Sequence, residues 1–474
     1  MDIWIKAAQL FLSLAILVTL HELGHFIPAK LFKTRIEKFY LFFNPWVSLF
    51  RYKKVNGEKK YSWFSKTSPE EWSEDPDTTE WGIGWLPLGG YVKISGMIDE
   101  SMDKEQMEKP AEPWEFRSKP AWQRLIIMIG GVTVNLILGM LIYIMVLFTW
   151  GQTHINPEKM SHGASIHPYL GEKYGLFSGD KILAVDGEKI ENLDELNKII
   201  MLRDISTITV LHQNSNAEET ISLPEDIGSE LFQAGAFPVF GMRMKMASVA
   251  NVTKGSGAAN AGIKSNDVLY SVNNQEVVYF DEIQKYLYEN KGKAVDLGVL
   301  RKAADGSSDT LSLKAKVDSE GKIGFEVGMG AIEDSSAVET KSYSFGESIS
   351  RGTSYGLNTL TDYVAQFKFI FTKKGAGSIG GFAAIGNMFP PVWDWQAFWL
   401  NTALLSIILA FMNILPIPAL DGGHVLFLIY EMVTGKEAPQ KVLEVAQYIG
   451  IFLLLGLMIY ANGNDLIRWI NGAF

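Results

Sequence analysis

With 474 residues the chain has room for more than one domain, and 47% hydrophobic residues beside 20% charged ones point to segregated apolar and polar stretches. A net charge of −10 argues against nucleic acid as the main partner. The absence of cysteine excludes disulfides, thiolate metal sites and cysteine nucleophiles.

The first apolar run, Ala7 to Leu20, has a poor positive flank in Lys6 alone. The following Val18-Thr-Leu-His-Glu22 lacks a small-x-small cleavage site, so the run reads as a retained membrane helix rather than a signal peptide. It ends in His21-Glu22-Leu23-Gly24-His25. On a helix, positions 21 and 25 share a face one turn apart, and Glu22 lies about 100° round the axis. Two imidazoles can grip one cation there, with Glu22 as candidate general base, the H-E-x-x-H zinc arrangement. The alternative is a polar helix end emerging at the membrane surface. Ionisable groups are costly at membrane depth, which favours the functional reading.

Four stretches are apolar enough to span a bilayer, at about 5–26, 124–149, 397–419 and 446–461, the last being the shortest. Lys30, Lys33, Arg35 and Lys38 follow the first span, and Arg117, Lys119 and Arg124 precede the second. By the positive-inside rule residues 27–120 are cytoplasmic and residues 150–395 are outside. The cytoplasmic segment opens with the strand-like, aromatic Phe39 to Phe50 and continues through the acidic Glu70 to Asp77. Gly89 and Gly90 before Tyr91-Val-Lys-Ile94 predict either a bend into an exposed edge strand able to pair with an extended peptide, or an ordinary hairpin turn. The charge-rich Asp99 to Glu108 reads as a solvated loop.

The external segment repeats itself. Gly175 to Gly187 aligns without a gap on Gly262 to Asn274, and the register persists to Asp194-Glu-Leu196 against Asp281-Glu-Ile283. Each copy predicts a turn, a buried strand, a polar turn and a helix opened by an aspartate cap, hence two small tandem domains. Each copy resembles a PDZ domain. Such domains bind extended chains in a groove, although spacers or size filters with empty grooves are the alternative. Residues 344–372 read as an amphipathic helix, Gly375 to Gly381 as a flexible or tightly packed loop, and Trp393, Trp395 and Trp399 as an interface belt before the third span.

The third span ends in Asn413-Ile-Leu-Pro416-Ile-Pro418-Ala-Leu-Asp421-Gly-Gly-His424. Two prolines two residues apart force the backbone out of the helix near membrane depth, which is tolerated where it lines a cavity or is buried in protein. Asp421, beside Gly422 and Gly423, can turn inward as the carboxylate that the histidines lack, leaving a fourth position for water as in catalytic zinc sites. The span count brings His25 and Asp421 to the same cytoplasmic depth.

These two motifs, with Pro87 to Lys93 and Arg124, Gly130, Gly131 and Asn135 of the second span, resemble the site-2 protease family of intramembrane zinc metalloproteases, and within it the bacterial RseP-type enzymes with two tandem PDZ domains. The family commonly has Gly-Pro where this chain has Gly130-Gly131, and the acidic insert near 62–82 is unlike the shortest members. The resemblance covers essentially the whole chain and implies that His21, His25 and Asp421 bind Zn2+ and that Glu22 activates the attacking water. It implies that Asn135 and Asn413 help hold the substrate backbone, with Gly89, Gly90 and Tyr91 on the strand that receives it.

The fold class expected is a polytopic α-helical membrane protein with four transmembrane helices, two extracytoplasmic α+β PDZ-like domains and a membrane-associated cytoplasmic β element. Its boundaries are a first span over 1–26, a cytoplasmic segment over 27–121, a second span over 122–149 and PDZ-like domains over 150–240 and 241–332. An amphipathic helix and linker follow over 333–394, a third span over 395–424, a cytoplasmic loop over 425–445, and a fourth span with tail over 446–474. The expected reaction is hydrolysis of a peptide bond within a single-pass membrane protein, of the anti-sigma-factor or remnant-signal-peptide type, in a bacterial cytoplasmic membrane. The partners expected are that substrate, the lipid bilayer and an extended peptide in the PDZ grooves, with no nucleic acid. A silent membrane adaptor is disfavoured by the intact Glu22, and a zinc transporter by the clustering of ionisable groups at one level. His154, His162, His167 and His212 read as surface residues, and His424, which lies near the site, as a solvated helix end or, alternatively, a residue supporting the metal ligands.

Overall fold

The computed structural model describes residues 2–87, 89–97, 110–213, 215, 217–302, 307–328 and 334–470. The stretch Asp99 to Glu108, expected to be a loop, lies outside them. The chain divides into two units. One comprises Met1–Trp150, Tyr343–Val364 and Ile379–Ile467, the other Gly151–Ser342, Ala365–Ser378 and Arg468–Phe474.

The first unit opens with helix α1 (Asp2–Leu31), which runs through Pro28. Strands β1 (Ile36–Leu41), β2 (Phe43–Val55), β3 (Glu58–Ser65), β4 (Glu80–Leu86) and β5 (Tyr91–Ile94) follow. They form one sheet in the order β3-β2-β4-β1-β5. The β2–β3 hairpin turns at Asn56 and Gly57, both at positive φ, as a tight two-residue turn requires. Gly89 and Gly90 do not make such a turn, because β1 lies between β4 and β5, parallel to the former and antiparallel to the latter. That leaves β5 at the end of the sheet. Arg51 and Glu80, both nearly fully buried, pair at 2.9 Å inside the sheet, and the Tyr40 and Ser68 hydroxyls donate to the same carboxylate. Burial alone would raise the Glu80 carboxyl, but these donors hold it below its ordinary value. Phe26 of α1 packs on Phe39 and Trp81, seating the sheet on the helix. Helix α2 (Ala121–Trp150) starts after Pro120.

In the second unit β6 (Gln152–Ile155) pairs with β19 (Val338–Lys341), and the repeat lies between them. The first copy holds β7 (Ala164–Ile166), α3 (Pro168–Tyr174), β8 (Lys181–Val185), β9 (Glu188–Lys189), α4 (Leu193–Leu202), β10 (Thr207–Leu211), β11 (Glu218–Ser222), α5 (Ile227–Ala234) and β12 (Phe240–Met242). The second holds β13 (Val249–Val252), α6 (Gly257–Ala261), β14 (Val268–Val272), β15 (Gln275–Glu276), α7 (Phe280–Glu289), β16 (Ala294–Lys302), β17 (Ser308–Lys316) and β18 (Phe325–Val327). Their sheets have the same strand order, β11-β10-β8-β9 and β17-β16-β14-β15, and β12-β7 is matched by β13-β18. Each copy has its own apolar core, around Leu196 and Ile208 in the first and Ile283 and Leu297 in the second. The predicted aspartate caps are displaced. Asn192 caps α4 by accepting the Asp194 N–H at 3.0 Å, and Asp281 turns instead to the buried Arg243 at 3.0 Å. An aspartate inside the first turn still complements the helix dipole.

Helix α8 (Phe345–Ile370) matches the amphipathic stretch. The glycine-rich stretch after it forms the short helix α9 (Lys373–Ser378), in which a Cβ on Gly375 would meet Phe369 O at 1.9 Å, so tight packing rather than a flexible loop describes it. Then come α10 (Phe382–Gly386), α11 (Trp395–Ile414), α12 (Asp421–Thr434) and α13 (Gln440–Ile470). Residues 425–434, expected within a loop, continue α12 until Gly435 ends it in the left-handed conformation. The fourth apolar stretch is likewise longer than its hydropathy suggests, because Asn462 and Asp465 in its last turns accept N–H groups of Phe382, Gly381 and Ala384. The helices α1, α2, α11 and α13 are long and apolar enough to cross a membrane.

His167, expected at the surface, is partly buried and caps α3 by accepting the Tyr169 N–H at 3.2 Å. Burial first, then Lys291 and Lys322, hold its imidazole down at about 4. The unfolded chain takes up that proton near pH 6.5, so the folded state loses stability as pH falls from about 6.5 to 4. Protection factors for hydrogen exchange over residues 170–175, corrected for the intrinsic pH dependence of exchange, should fall across that window in the wild type, and much less in His167→Asn, which keeps a capping acceptor.

Candidate metal centre and active site

The site is built at the crossing of α1 and α2. Pro28 has no N–H, so the Gly24 carbonyl lacks its i+4 donor and α2 can come close. A Cβ on Gly24 would lie 2.5 Å from Gly130 O, and one on Gly130 would lie 2.0 Å from Gly24 O. A Cβ on Gly131 would sit 2.4 Å from His25 Nε2 and 2.6 Å from His21 Cε1. The histidine pair therefore occupies space that only a glycine leaves open.

The two rings stand nearly perpendicular, at 83°, with their Nε2 atoms 3.2 Å apart. Asp421 Oδ2 lies 3.3 Å from each Nε2. Although that oxygen is buried, it finds no hydrogen-bond partner among the described residues. Two ring nitrogens and one carboxylate oxygen, each able to ligate a metal, thus converge. A tetrahedral zinc site with donors at about 2.0–2.1 Å has edges of roughly 3.3–3.4 Å. The observed separations match that edge, so the residues fit a zinc ion.

Further groups orient the donors. His25 Nδ1–H donates to the Ile127 carbonyl at 2.9 Å, leaving the Nε2 lone pair toward Asp421. The Asn135 amide, fully buried, lies 3.1 Å from His21 Nδ1, and its Oδ1 lacks a hydrogen-bond partner among the described residues. Asn413 Nδ2 lies 3.5 Å from His21 Nε2. The backbone between α11 and α12 breaks at Pro416 to Pro418 and passes through a positive φ of 76° at Ala419. Gln447 on α13 accepts the Ala419 N–H at 3.2 Å, and α13 packs so closely on this loop that a Cβ on Gly450 would meet Pro418 O at 1.6 Å.

A cavity of about 790 Å³ opens on the donors, lined by Glu22, His25, Tyr91, Val92 and Asp421 among others. Glu22 forms part of its wall, and the Val92 backbone N–H reaches the Glu22 carboxylate. Of the strand residues singled out by sequence, Gly90 and Tyr91 line this cavity. Gly89 instead packs under Phe43, with a φ of 153°. The Tyr91 ring stacks on Tyr40 with centroids 5.2 Å apart, and its hydroxyl donates to Asn44 Oδ1 at 3.0 Å. His424 lines the cavity rather than a solvated helix end. The packing and supporting roles of Gly24, Gln447 and Gly450 escaped the sequence reading. A glutamine and small residues inside apolar helices were the available signal.

A family model described as peptidase family M50 matches residues 9–65 and 66–457. The chain belongs to peptidase family M50. A "Putative zinc metalloprotease" of Ralstonia nicotianae is 26% identical over 481 residues, covering 96% of this chain and 97% of that protein. The "Regulator of sigma E protease" of Haemophilus influenzae is 26% identical over 487 residues, with 96% and 97% covered. M50 peptidases are zinc-dependent, in agreement with the donor set. This member is a metalloprotease, and the four membrane-length apolar helices among its described residues fit a multi-pass membrane protein.

Replacing Gly131 by alanine should force the imidazoles apart and lower zinc affinity at least about tenfold. Gly456→Ala in α13, where a Cβ meets nothing within 4 Å, should leave it unchanged. Competition for zinc against a chelator reads both.

Proposed function

We propose that this M50 peptidase is a site-2-type intramembrane endopeptidase that hydrolyses a peptide bond within the transmembrane segment of single-pass membrane proteins. The observation that carries the reading is a two-histidine, one-carboxylate donor set beside Glu22, on helices apolar enough to span a bilayer, opening on a cavity edged by a terminal strand. Zinc held by His21, His25 and Asp421 supplies a Lewis acid.

A peptide bond in a membrane helix is shielded by its own hydrogen bonds, so it must be presented in extended form. The β5 edge offers backbone groups for such a segment to pair with. Glu22 takes a proton from the attacking water and delivers it to the departing amine, so the peptide nitrogen leaves neutral. Asn413, beside His21 Nε2, is suited to donate to the substrate carbonyl. We assign Asn135 to His21 rather than to substrate. With its Oδ1 turned to Nδ1–H, it satisfies an otherwise unpartnered oxygen and leaves Nε2 unprotonated for the metal.

The two repeats are read as PDZ-like domains on the outer side of a bacterial cytoplasmic membrane, filtering or binding substrate, with the active site toward the cytoplasm. Anti-sigma factors and remnant signal peptides are the substrate types proposed. The name of the Haemophilus influenzae relative, which regulates sigma E, supports the former.

The test is cleavage of a tagged single-pass substrate in membranes. Glu22→Gln should keep near-stoichiometric zinc and lose cleavage by at least about a hundredfold. Undiminished cleavage by that variant would remove Glu22 as the base, and zinc binding without cleavage of any tested helix by the wild type would favour an adaptor.

A further inference from the structure

Asp421 reaches the histidines from a helix that is not continuous with the span before it. The chain breaks at Pro416 to Pro418, so the axis of α11 does not dictate where α12 sits along α2. A second anchor has to set that register. Metal sites hold donor distances to within about 0.2 Å, which makes small slippage of α12 costly for the donor set.

The two helices meet along matched stripes. On α12, Asp421, Val425, Leu428 and Glu431 recur at helical spacing, and on α2, Arg124, Ile127, Gly131 and Asn135 do the same. Val425 and Leu428 share a buried apolar cluster with Ile127 and Met128. At one end of the stripes Asp421 meets the histidine pair that Gly131 accommodates. At the other end the Arg124 guanidinium is bonded to Glu431 Oε1, with Glu437 Oε1 at 3.3 Å. Arg124 is nearly buried, and its Nε–H donates to the Lys119 carbonyl at 2.9 Å, which fixes the guanidinium at the start of α2. The ten residues from Asp421 to Glu431 span about 15 Å, and the seven to eleven from Arg124 to Gly131 and Asn135 span about 10–16 Å, so both ends engage together.

Apolar packing alone does not hold this register. Val425 and Leu428 meet Ile127 and Met128 through apolar surface, whose dispersion contacts are non-directional and do not by themselves single out one register. A cavity of about 250 Å³ lined by Arg124, Glu431, Glu437, His424 and Gln447 also leaves the polar end of the contact incompletely packed. The ion pair is the directional contact at that end, with side chains 10% and 16% exposed.

We propose that Arg124 and Glu431 are positioning residues that set the register of α12 on α2 and thereby bring Asp421 to the metal. The inference rests on His21, His25 and Asp421 being the zinc ligands. Glu431 lies outside the donor cluster and outside the lining of the cavity that opens on it, and it acts through the helix that carries Asp421.

The experiment uses the full chain in detergent. Zn2+ affinity is measured by chelator competition, and the visible spectrum of the Co2+-loaded protein reports whether the carboxylate completes a tetrahedral site. Glu431→Gln and Arg124→Glu should each weaken zinc binding by about ten- to a hundredfold and reduce the cobalt absorption. The exchanged pair Arg124→Glu with Glu431→Arg should recover both to within about threefold of wild type. Glu437→Gln, altering an exposed partner, should change little. Folding is followed in parallel by helical content, so that a variant that merely misfolds is recognised and the exchanged pair decides. An unchanged affinity in folded Glu431→Gln, or an exchanged pair that folds yet does not recover the cobalt spectrum, overturns the proposal. If His25→Ala binds zinc as tightly as wild type, the ligand assignment itself falls and the positioning role with it.

Discussion

The backbone contact between α1 and α2 at Gly24, Gly130 and Gly131 is the constraint from which the site follows. Nothing larger than hydrogen fits at these three positions, as the 2.0 to 2.5 Å approaches of a hypothetical Cβ demonstrate. In lipid, where apolar surfaces gain nothing by leaving water, close backbone approach through small residues is a main source of helix association. Here it does a second task, because the helix that comes close is also the one that supplies the Ile127 carbonyl and the Asn135 amide to the two imidazoles. Packing and ligand orientation share one set of residues.

The carboxylate arrives by a different route. Pro416 and Pro418 prevent α11 from continuing, and the loop they create would expose backbone polar groups at membrane depth. Gln447 satisfies the Ala419 N–H, and Gly450 lets α13 cover the loop. The breaks at Pro28 and at Pro416 to Pro418 are thus each matched by a polar side chain or a glycine on a neighbouring helix, and the second, at Ala419 and Leu420, ends up lining the cavity that carries Glu22.

The five-stranded sheet completes that cavity from the other side. Because β1 intervenes between β4 and β5, the strand after Gly90 lies at the end of the sheet, with Val92 against Glu22. A hairpin at the paired glycines would have placed β5 elsewhere. The buried Arg51–Glu80 pair and its Tyr40 and Ser68 donors stiffen the same sheet from within. The sheet is therefore held both by its own polar interior and by the aromatic contact of Phe26 with Phe39 and Trp81.

The apolar helices, the repeat and the chemistry of the donor set are legible in the amino-acid order alone. Those features are carried by local composition and by fixed spacings, such as the four-residue step from His21 to His25, which periodicity alone converts into a shared face. Spacing within one segment could not show that Gly24, in the middle of the motif, is a packing residue, nor that Asn135 faces His21, since both depend on which helix crosses α1 and where. The helical course of residues 421–434 was hidden for a related reason: prolines and paired glycines signal a break, and the contacts of Val425, Leu428 and Glu431 with α2 that hold the new helix lie far away in the sequence. The extent of α13 was masked by Asn462, Asn464, Asp465 and Arg468, polar residues whose partners in residues 377–384 no local pattern shows. Tertiary structure decided the contacts between segments distant in the chain, because hydrogen-bond partners and close approaches across helices leave no periodic trace in either strand of sequence.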